Sequence, residues 1–215
     1  MEDGDVGTIG AVADMDSRKY SLGWEAPGLM AAYALIILTP LAVVGIMRPE
    51  VDHGFVYSLG KNLALVAFPI MAMQFVLAAR LRWIERPFGF DVMFRFHKVM
   101  AVVAFTLILS HPVLLAAGSG DRGLVLNPRI SWHIWLGRIA LILLWVHVWL
   151  AIFRFVLRVE YQAWRVIHNV AALLVFPFAF LHSFKAGGDM KLAALKAVWI
   201  ALFASGAYGA IRRQH

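Results

Sequence analysis

The sequence contains no cysteine among its 215 residues. Disulfide bonds, iron–sulfur clusters and thiol catalysis are therefore excluded within this chain. Charged residues are also scarce, at 15% against about 25% in a typical soluble domain. Hydrophobic residues make up 61% of the chain. A chain with this balance exposes too few charges for a water-soluble surface, which favours a membrane protein.

Six apolar stretches follow one another along the chain. Each has roughly 18 or more residues, enough to cross a bilayer as a helix. The stretches are continuous rather than alternating, which favours helices over a β-barrel. The connections between them are too short for a second folded domain. The sequence therefore predicts an all-α membrane protein, a six-transmembrane-helix bundle, with spans at 29–47, 62–79, 99–117, 130–153, 166–184 and 192–211.

The distribution of charge predicts the orientation of this bundle. The first 27 residues form an acidic tail, and residues 28–213 form the membrane domain. Arginines concentrate in two short loops, 80–95 and 154–165, and basic loops favour the cytoplasmic side. The sequence thus predicts a cytoplasmic tail and an N-in/C-in bundle. The net charge of +7 reports this orientation and does not indicate nucleic-acid binding.

Two spans each carry a pair of histidines with the same separation. The segment HKVMAVVAFTLILSH runs from His97 to His111, and HNVAALLVFPFAFLH runs from His168 to His182. Fourteen residues of helix make four turns less about 40° and rise about 21 Å. The two histidines of one helix thus lie on nearly the same face but are too far apart to share one metal ion. This spacing predicts two separate sites, one near each membrane surface.

The third and fifth spans run parallel, so His97 lies at the depth of His168, and His111 at the depth of His182. Any one of these histidines could equally be a packing residue, but the repeated spacing indicates function, because polar side chains are costly in a membrane. Each pair can bind an iron from opposite sides. Haem suits two axial imidazoles, whereas zinc would need four ligands, and neither level offers cysteine or a carboxylate.

The fourth span carries a further pair, His133 and His147, which are also 14 residues apart. They could be ligands in a different pairing or donors to a haem propionate. We favour ordinary packing for His147. His133 lies in the aromatic segment SWHIW, which is typical of the membrane interface.

The segments FGFDVMFRFHKVMAVVAFTLILSHPVLL and LGRIALILLWVHVWLAIFRFVLRVEYQAWRVIHNVAALLVFPFAFLHSF resemble the ferric-reductase-like transmembrane domain. This domain is shared by ferric reductases, NADPH oxidases and bacterial flavocytochromes, and the resemblance covers roughly residues 55–213. It implies two b-type haems, with His97 and His168 as the axial ligands of the inner haem and His111 and His182 as those of the outer haem. Lys61 resembles a basic residue on the acceptor side, but Leu115 stands where the oxidases have a second outer histidine. This difference argues against dedicated superoxide production.

The resemblance also implies a place in a bacterial inner membrane and a flavin module that binds FAD or FMN and takes electrons from NAD(P)H. The chain stops at GAIRRQH and shows no flavin or dinucleotide motif. We therefore expect the flavin and nicotinamide domains to lie in a missing part of the protein or in a partner subunit.

Haem propionates need cationic partners near each membrane face. Arg95 and Arg165 are the inner candidates. Arg129, Arg138 and Lys185 are the outer candidates.

The predicted function is electron transfer by a haem-containing oxidoreductase subunit of the membrane. Electrons pass from a cytoplasmic reduced flavin to an outer acceptor such as ferric iron, a quinone or oxygen. One alternative is a proton or ion transporter with a histidine relay, although such proteins usually carry intramembrane acids and the six spans have none. Another alternative is a haem-binding assembly subunit.

Overall fold

The computed structural model describes residues 25–47, 54–121, 123 and 127–212. These residues form seven α-helices, in chain order α1 (Ala26–Met47), α2 (Phe55–Ala78), α3 (Arg82–Phe88), α4 (Phe90–Ser119), α5 (Trp132–Phe153), α6 (Tyr161–Ala186) and α7 (Ala193–Arg212). One turn of 3₁₀ helix, Gly188–Lys191, joins α6 to α7.

Every helix except α3 is long and apolar enough to cross a membrane. The prediction of six membrane-spanning helices is therefore confirmed. Four of the helices begin before the predicted spans, most clearly α4, which has 30 residues and begins nine residues before the predicted start at residue 99, whereas α5 begins two residues after its predicted start. The short helix α3 was not predicted. Residues 1–24 of the predicted tail and residue 213 lie outside the described part of the chain.

Helix α2 lies at the centre of the bundle. Half of its most apolar stretch is buried inside the protein, against 28% or less in the other five spanning helices. It packs most extensively against α4 and then against α7. Close approach to α4 depends on Gly60, where an added Cβ would lie 3.0 Å from Leu114 Cβ and 3.1 Å from the backbone nitrogen of Leu115. Small residues commonly permit such contact between helices in membranes.

An aromatic cluster joins α2, α6 and α7. The ring of Phe68 stacks on Trp199 with centroids 4.8 Å apart and on Phe176 with centroids 5.6 Å apart. Trp199 is only 1% exposed, and its indole nitrogen donates a hydrogen bond of 2.8 Å to the hydroxyl of Ser183. Lipid is as apolar as these side chains, so dispersion contacts and this hydrogen bond, rather than burial from water, hold the three helices together. The contact fixes the end of α6 beside His182.

The helices that carry the paired histidines are neighbours with little backbone contact. Helices α5 and α6 form a closely packed antiparallel hairpin, whereas α4 and α6 make almost no close backbone contact with each other. His97 follows the first residue of α4 by seven positions, and His168 follows the first residue of α6 by the same number. The fold therefore brings four histidines to two levels between two parallel helices.

Candidate functional site

At one level, which the sequence predicts to be the inner one, His97 of α4 and His168 of α6 face one another. Their ring centroids are 6.4 Å apart, with an angle of 62° between the ring planes. Imidazole nitrogens bind metals at about 2 Å, so two imidazoles on opposite sides of one iron have centroids roughly 6 Å apart. At the observed separation, His97 and His168 could together hold a single iron.

His168 also contacts the fourth spanning helix, α5, on the side away from His97. Its Nδ1 lies 2.9 Å from Nε2 of His147. The ring of His147 stacks on Trp164 at 5.4 Å with an angle of 17°, and Trp164 also lies 5.3 Å from the ring of His168. These three rings form one cluster beside the inner level.

At the other level, which the sequence predicts to be the outer one, backbone carbonyls orient both histidines. Nδ1 of His111 donates to the carbonyl of Gly60 at 2.9 Å, and Nδ1 of His182 donates to the carbonyl of His133 at 2.9 Å. A carbonyl can only accept, so both rings carry their proton on Nδ1 and keep the lone pair on Nε2. A hydrogen bond of this kind, from the nitrogen that does not bind the metal, is typical of metal-bound histidine. The two imidazoles also lie within electrostatic range of each other.

Gly137 of α5 shapes the outer level by having no side chain. A Cβ added there would lie 2.6 Å from Nδ1 and 2.7 Å from Cε1 of His182. Real Cβ atoms do not approach other atoms so closely, so the ring of His182 can occupy this position only against glycine. The backbone of α5 thus supplies both an acceptor and a recess for this ring.

The donor set at both levels fits haem. Each level offers two imidazoles, and no group of three or more His, Asp or Glu side chains that could hold a metal ion occurs within the described ranges. A metal ion ligated by the protein alone would need more ligands than this, whereas haem iron has four ligands from its macrocycle and needs two. His97 and His168 could hold one haem, and His111 and His182 a second.

The cationic candidates fall into different environments. Arg95 and Arg165 are exposed near the inner level, and neither side chain has a hydrogen bond or ion pair within the described residues. Arg129 is exposed in the segment before α5. Arg138 donates to the carbonyls of Asn127 at 2.7 Å and Gly123 at 3.2 Å, so it ties this segment to α5. These contacts supply the partner that a cation inside a span requires.

Lys61 and Lys185 lie close in sequence to the groups of the His111–His182 level, since Lys61 follows Gly60 and Lys185 follows His182 by three residues. The amine of Lys61 is 3.0 Å from a carboxylate oxygen of Asp189, whose side chain is only 6% exposed. Lys185, three residues after His182, lines an open cavity of about 350 Å³ together with Lys191 and Lys196. The amines of Lys185, Lys191 and Lys196 have no ion pair within the part of the chain that the structure describes.

A second basic cavity, of about 570 Å³, lies at the opposite end of the bundle around α3. It is lined by Arg80, Arg82, Glu85 and Arg86. The hydrogen bond and negative charge of Glu85 raise the pKa of the Arg80 guanidinium above its usual value. The guanidinium also lies 4.7 Å from the centroid of the Phe90 ring at the start of α4.

Reasoning from the sequence missed the residues that support the histidines from α5. His147 was interpreted as ordinary packing, yet it contacts His168 directly. His133 acts through its backbone carbonyl, and Gly137 through its missing side chain. The available signal was the 14-residue spacing of His133 and His147, which equals the spacing of the two histidines within α4 and within α6.

Comparison with known protein families gives one match. Residues 63–179 match the family model described as ferric reductase like transmembrane component. The match includes His97, His111, His147 and His168, and it ends three residues before His182. The comparison with curated proteins and the comparison with solved structures each gave no match. Because the matched region covers more than half of the chain, this protein belongs to the family of ferric reductase like transmembrane components.

Proposed function

We propose that this chain transfers electrons across the membrane through two b-type haems. One would be held by His97 and His168, and the other by His111 and His182. The observation that carries this proposal is the 6.4 Å separation of the His97 and His168 rings, which suits two ligands of one iron. The family is in general one of oxidoreductases, and its members typically bind haem and flavin.

Bound haem would supply a reversible one-electron change at iron. The protein's own residues orient the ligands and keep the region between the two levels apolar. Ala104 and Val175 each follow an inner histidine by seven residues and are only 5% exposed. They separate levels that are about 21 Å apart along the helices. Hydrogen bonds engage Nδ1 on three of the four rings, so Nε2 is the nitrogen of these rings that could hold iron.

On the inner side, we propose that a reduced flavin, FAD or FMN, in a partner or an attached domain donates the electrons. The arginine cavity around α3 would attract an acidic surface of such a module. The exposed Arg95 and Arg165 would pair with haem propionates there. The arginine-rich loops 80–95 and 154–165 support an N-in/C-in orientation. We also propose a location in a bacterial plasma membrane, because the chain resembles bacterial flavocytochromes.

On the outer side, the lysine cavity supports an anionic acceptor. Lys185, Lys191 and Lys196 line it without a compensating carboxylate in its wall. Such a site favours an anionic chelate of ferric iron over an uncharged quinone or oxygen. We propose that Lys185 and Arg129 also serve the outer propionates, and that the Lys61–Asp189 pair holds this face together beside His111.

The competing transporter interpretation is weaker. Within the described parts of the six spanning helices, the only acidic residue is Asp91, in the first turn of α4. A proton or ion relay through the membrane centre usually needs intramembrane carboxylates. Two histidine levels in one bundle also favour electron transfer over a haem-binding assembly subunit.

The test is the visible spectrum and haem content of the purified full chain, expressed with ample haem. We expect two b-type haems per chain and a reduced spectrum after dithionite. His97→Leu and His111→Leu should each lower the content to one, because each removes a ligand at a different level. A colourless wild-type chain would refute the proposal. Rapid reoxidation of the reduced chain by an acceptor would separate electron transfer from passive haem binding.

A further inference from the structure

Two imidazoles share a hydrogen bond beside the inner level, and only one of them faces the opposite helix. His168 faces His97, whereas His147 lies behind it on α5, with 2.9 Å between His147 Nε2 and His168 Nδ1. We propose that His147 is a positioning residue that accepts this hydrogen bond and thereby sets the tautomer, ring orientation and donor strength of His168. This inference rests on the proposed function.

Iron binding by His168 would decide which of the two histidines donates the proton in their hydrogen bond. A neutral imidazole carries one proton, on either Nδ1 or Nε2. If His147 donated, His168 would carry its proton on Nε2, the nitrogen left to bind iron, and could not be a ligand. If His168 donates from Nδ1, its Nε2 keeps the lone pair. Iron binding by His168 is therefore compatible only with His147 as the acceptor.

The neighbours of His147 suit this role. The ring of Trp164 stacks on it, which restricts its rotation. Nδ1 of His147 is buried and has no hydrogen-bond partner within the described residues. The ring is therefore held in place by stacking and by one polar contact, the contact with His168.

The outer level provides a comparison inside the same molecule. There, His111 and His182 donate from Nδ1 to backbone carbonyls. The inner level uses a side-chain nitrogen in the same position. An acceptor at Nδ1 makes the ligand more electron-donating, which stabilises the ferric form and lowers the reduction potential.

The experiment compares His147→Phe, His147→Gln and wild type as full-length, haem-loaded chains. Phenylalanine keeps a ring to stack on Trp164 but has no acceptor, whereas glutamine offers a carbonyl. Two measurements are made: the midpoint potential of each haem by spectroscopic titration, and the g values of the ferric protein by electron paramagnetic resonance. We expect His147→Phe to shift one potential upward, with changed g values, and His147→Gln to recover part of both. Trp149→Phe is the matched control, because Trp149 is 42% exposed on the same helix and stacks on Phe153.

The outcomes separate this inference from the proposed function. Loss of one haem in His147→Phe, with retention in His147→Gln, would also support the acceptor role. Unchanged potentials and g values in a two-haem His147→Phe chain would overturn it and leave the proposed function intact. Loss of the haem in both variants would overturn it too, because an acceptor would then not suffice. A wild-type chain without haem would refute the proposed function itself.

Discussion

The backbone of Gly137 lies directly against the imidazole of His182. A Cβ at this glycine would be 2.6 Å from Nδ1, the atom that donates to the carbonyl of His133 one turn earlier. One turn of α5 thus holds the ring by a hydrogen bond and by a surface that only glycine provides. The outer level is therefore sensitive to a single methyl group.

Gly137→Ala should lower the haem content from two per chain to one. The added methyl group cannot occupy its position unless the ring of His182 moves, and overpacking of this kind costs about 1–3 kcal/mol. Alanine is also the better helix former, by about 1 kcal/mol, so weakening of α5 would not explain the loss. The measurement is a pyridine haemochrome assay normalised to protein.

Gly45→Ala is the matched control for this prediction. Gly45 lies in α1, and a Cβ there meets no atom within 4 Å. This variant should keep two haems. Two haems in Gly137→Ala would contradict the proposed position of His182 as a ligand.

The outer lysine cavity predicts a charge-dependent reaction with acceptors. Replacing Lys191 and Lys196 together by glutamine should slow reoxidation of the reduced chain by an anionic ferric chelate roughly thirtyfold. Each charge contributes on the order of 1 kcal/mol to an ionic contact at about 4 Å in water, and the two together about 2 kcal/mol. Reoxidation by an uncharged quinone should be unchanged. Anaerobic stopped-flow mixing measures both rates, and the difference should shrink at high salt.

Lys98→Gln is the control for this prediction, because it removes a lysine that lies far from the lysine cavity, over the ring of Phe94 near the start of α4. It should leave both reoxidation rates as in wild type. Equal slowing with charged and uncharged acceptors in the double variant would contradict an electrostatic role for the cavity.

The ion pair of Lys61 and Asp189 predicts a coupled effect on stability. Asp189→Asn should lower the free energy of unfolding by about 1–3 kcal/mol, because it leaves the partly buried ammonium of Lys61 without its counter-charge. Thermal unfolding in detergent measures the change. Adding Lys61→Met should recover part of the loss, since it removes the uncompensated charge. A double variant as unstable as the sum of the two single variants would show that the pair is not coupled.

Much of this fold could be predicted from the sequence because its signals are local. Six long apolar stretches predict six spanning helices, since the length of a stretch decides whether it crosses the bilayer. The 14-residue spacing within α4 and α6 predicts two levels, since helical pitch alone decides the depth of each residue. His97 and His168 were predicted to face each other, and their rings are 6.4 Å apart.

The supporting contacts could not be predicted because they depend on how one helix is rotated against another. His147 was predicted to be a packing residue, since nothing in the order of residues shows that this side of α5 faces His168. Lys61 and Asp189 are 128 positions apart, and their pairing depends on how the turn after α6 packs beside α2.

The sequence by itself thus determined the number of apolar helices long enough to span a membrane and the position of each histidine along its helix. Both follow from composition and helical geometry within one segment. The tertiary structure alone decided which groups meet at each depth: the carbonyls of Gly60 and His133, the bare backbone of Gly137 and the ring of His147. Those contacts follow from helix rotation and close approach, which small residues and aromatic stacking across several segments set together.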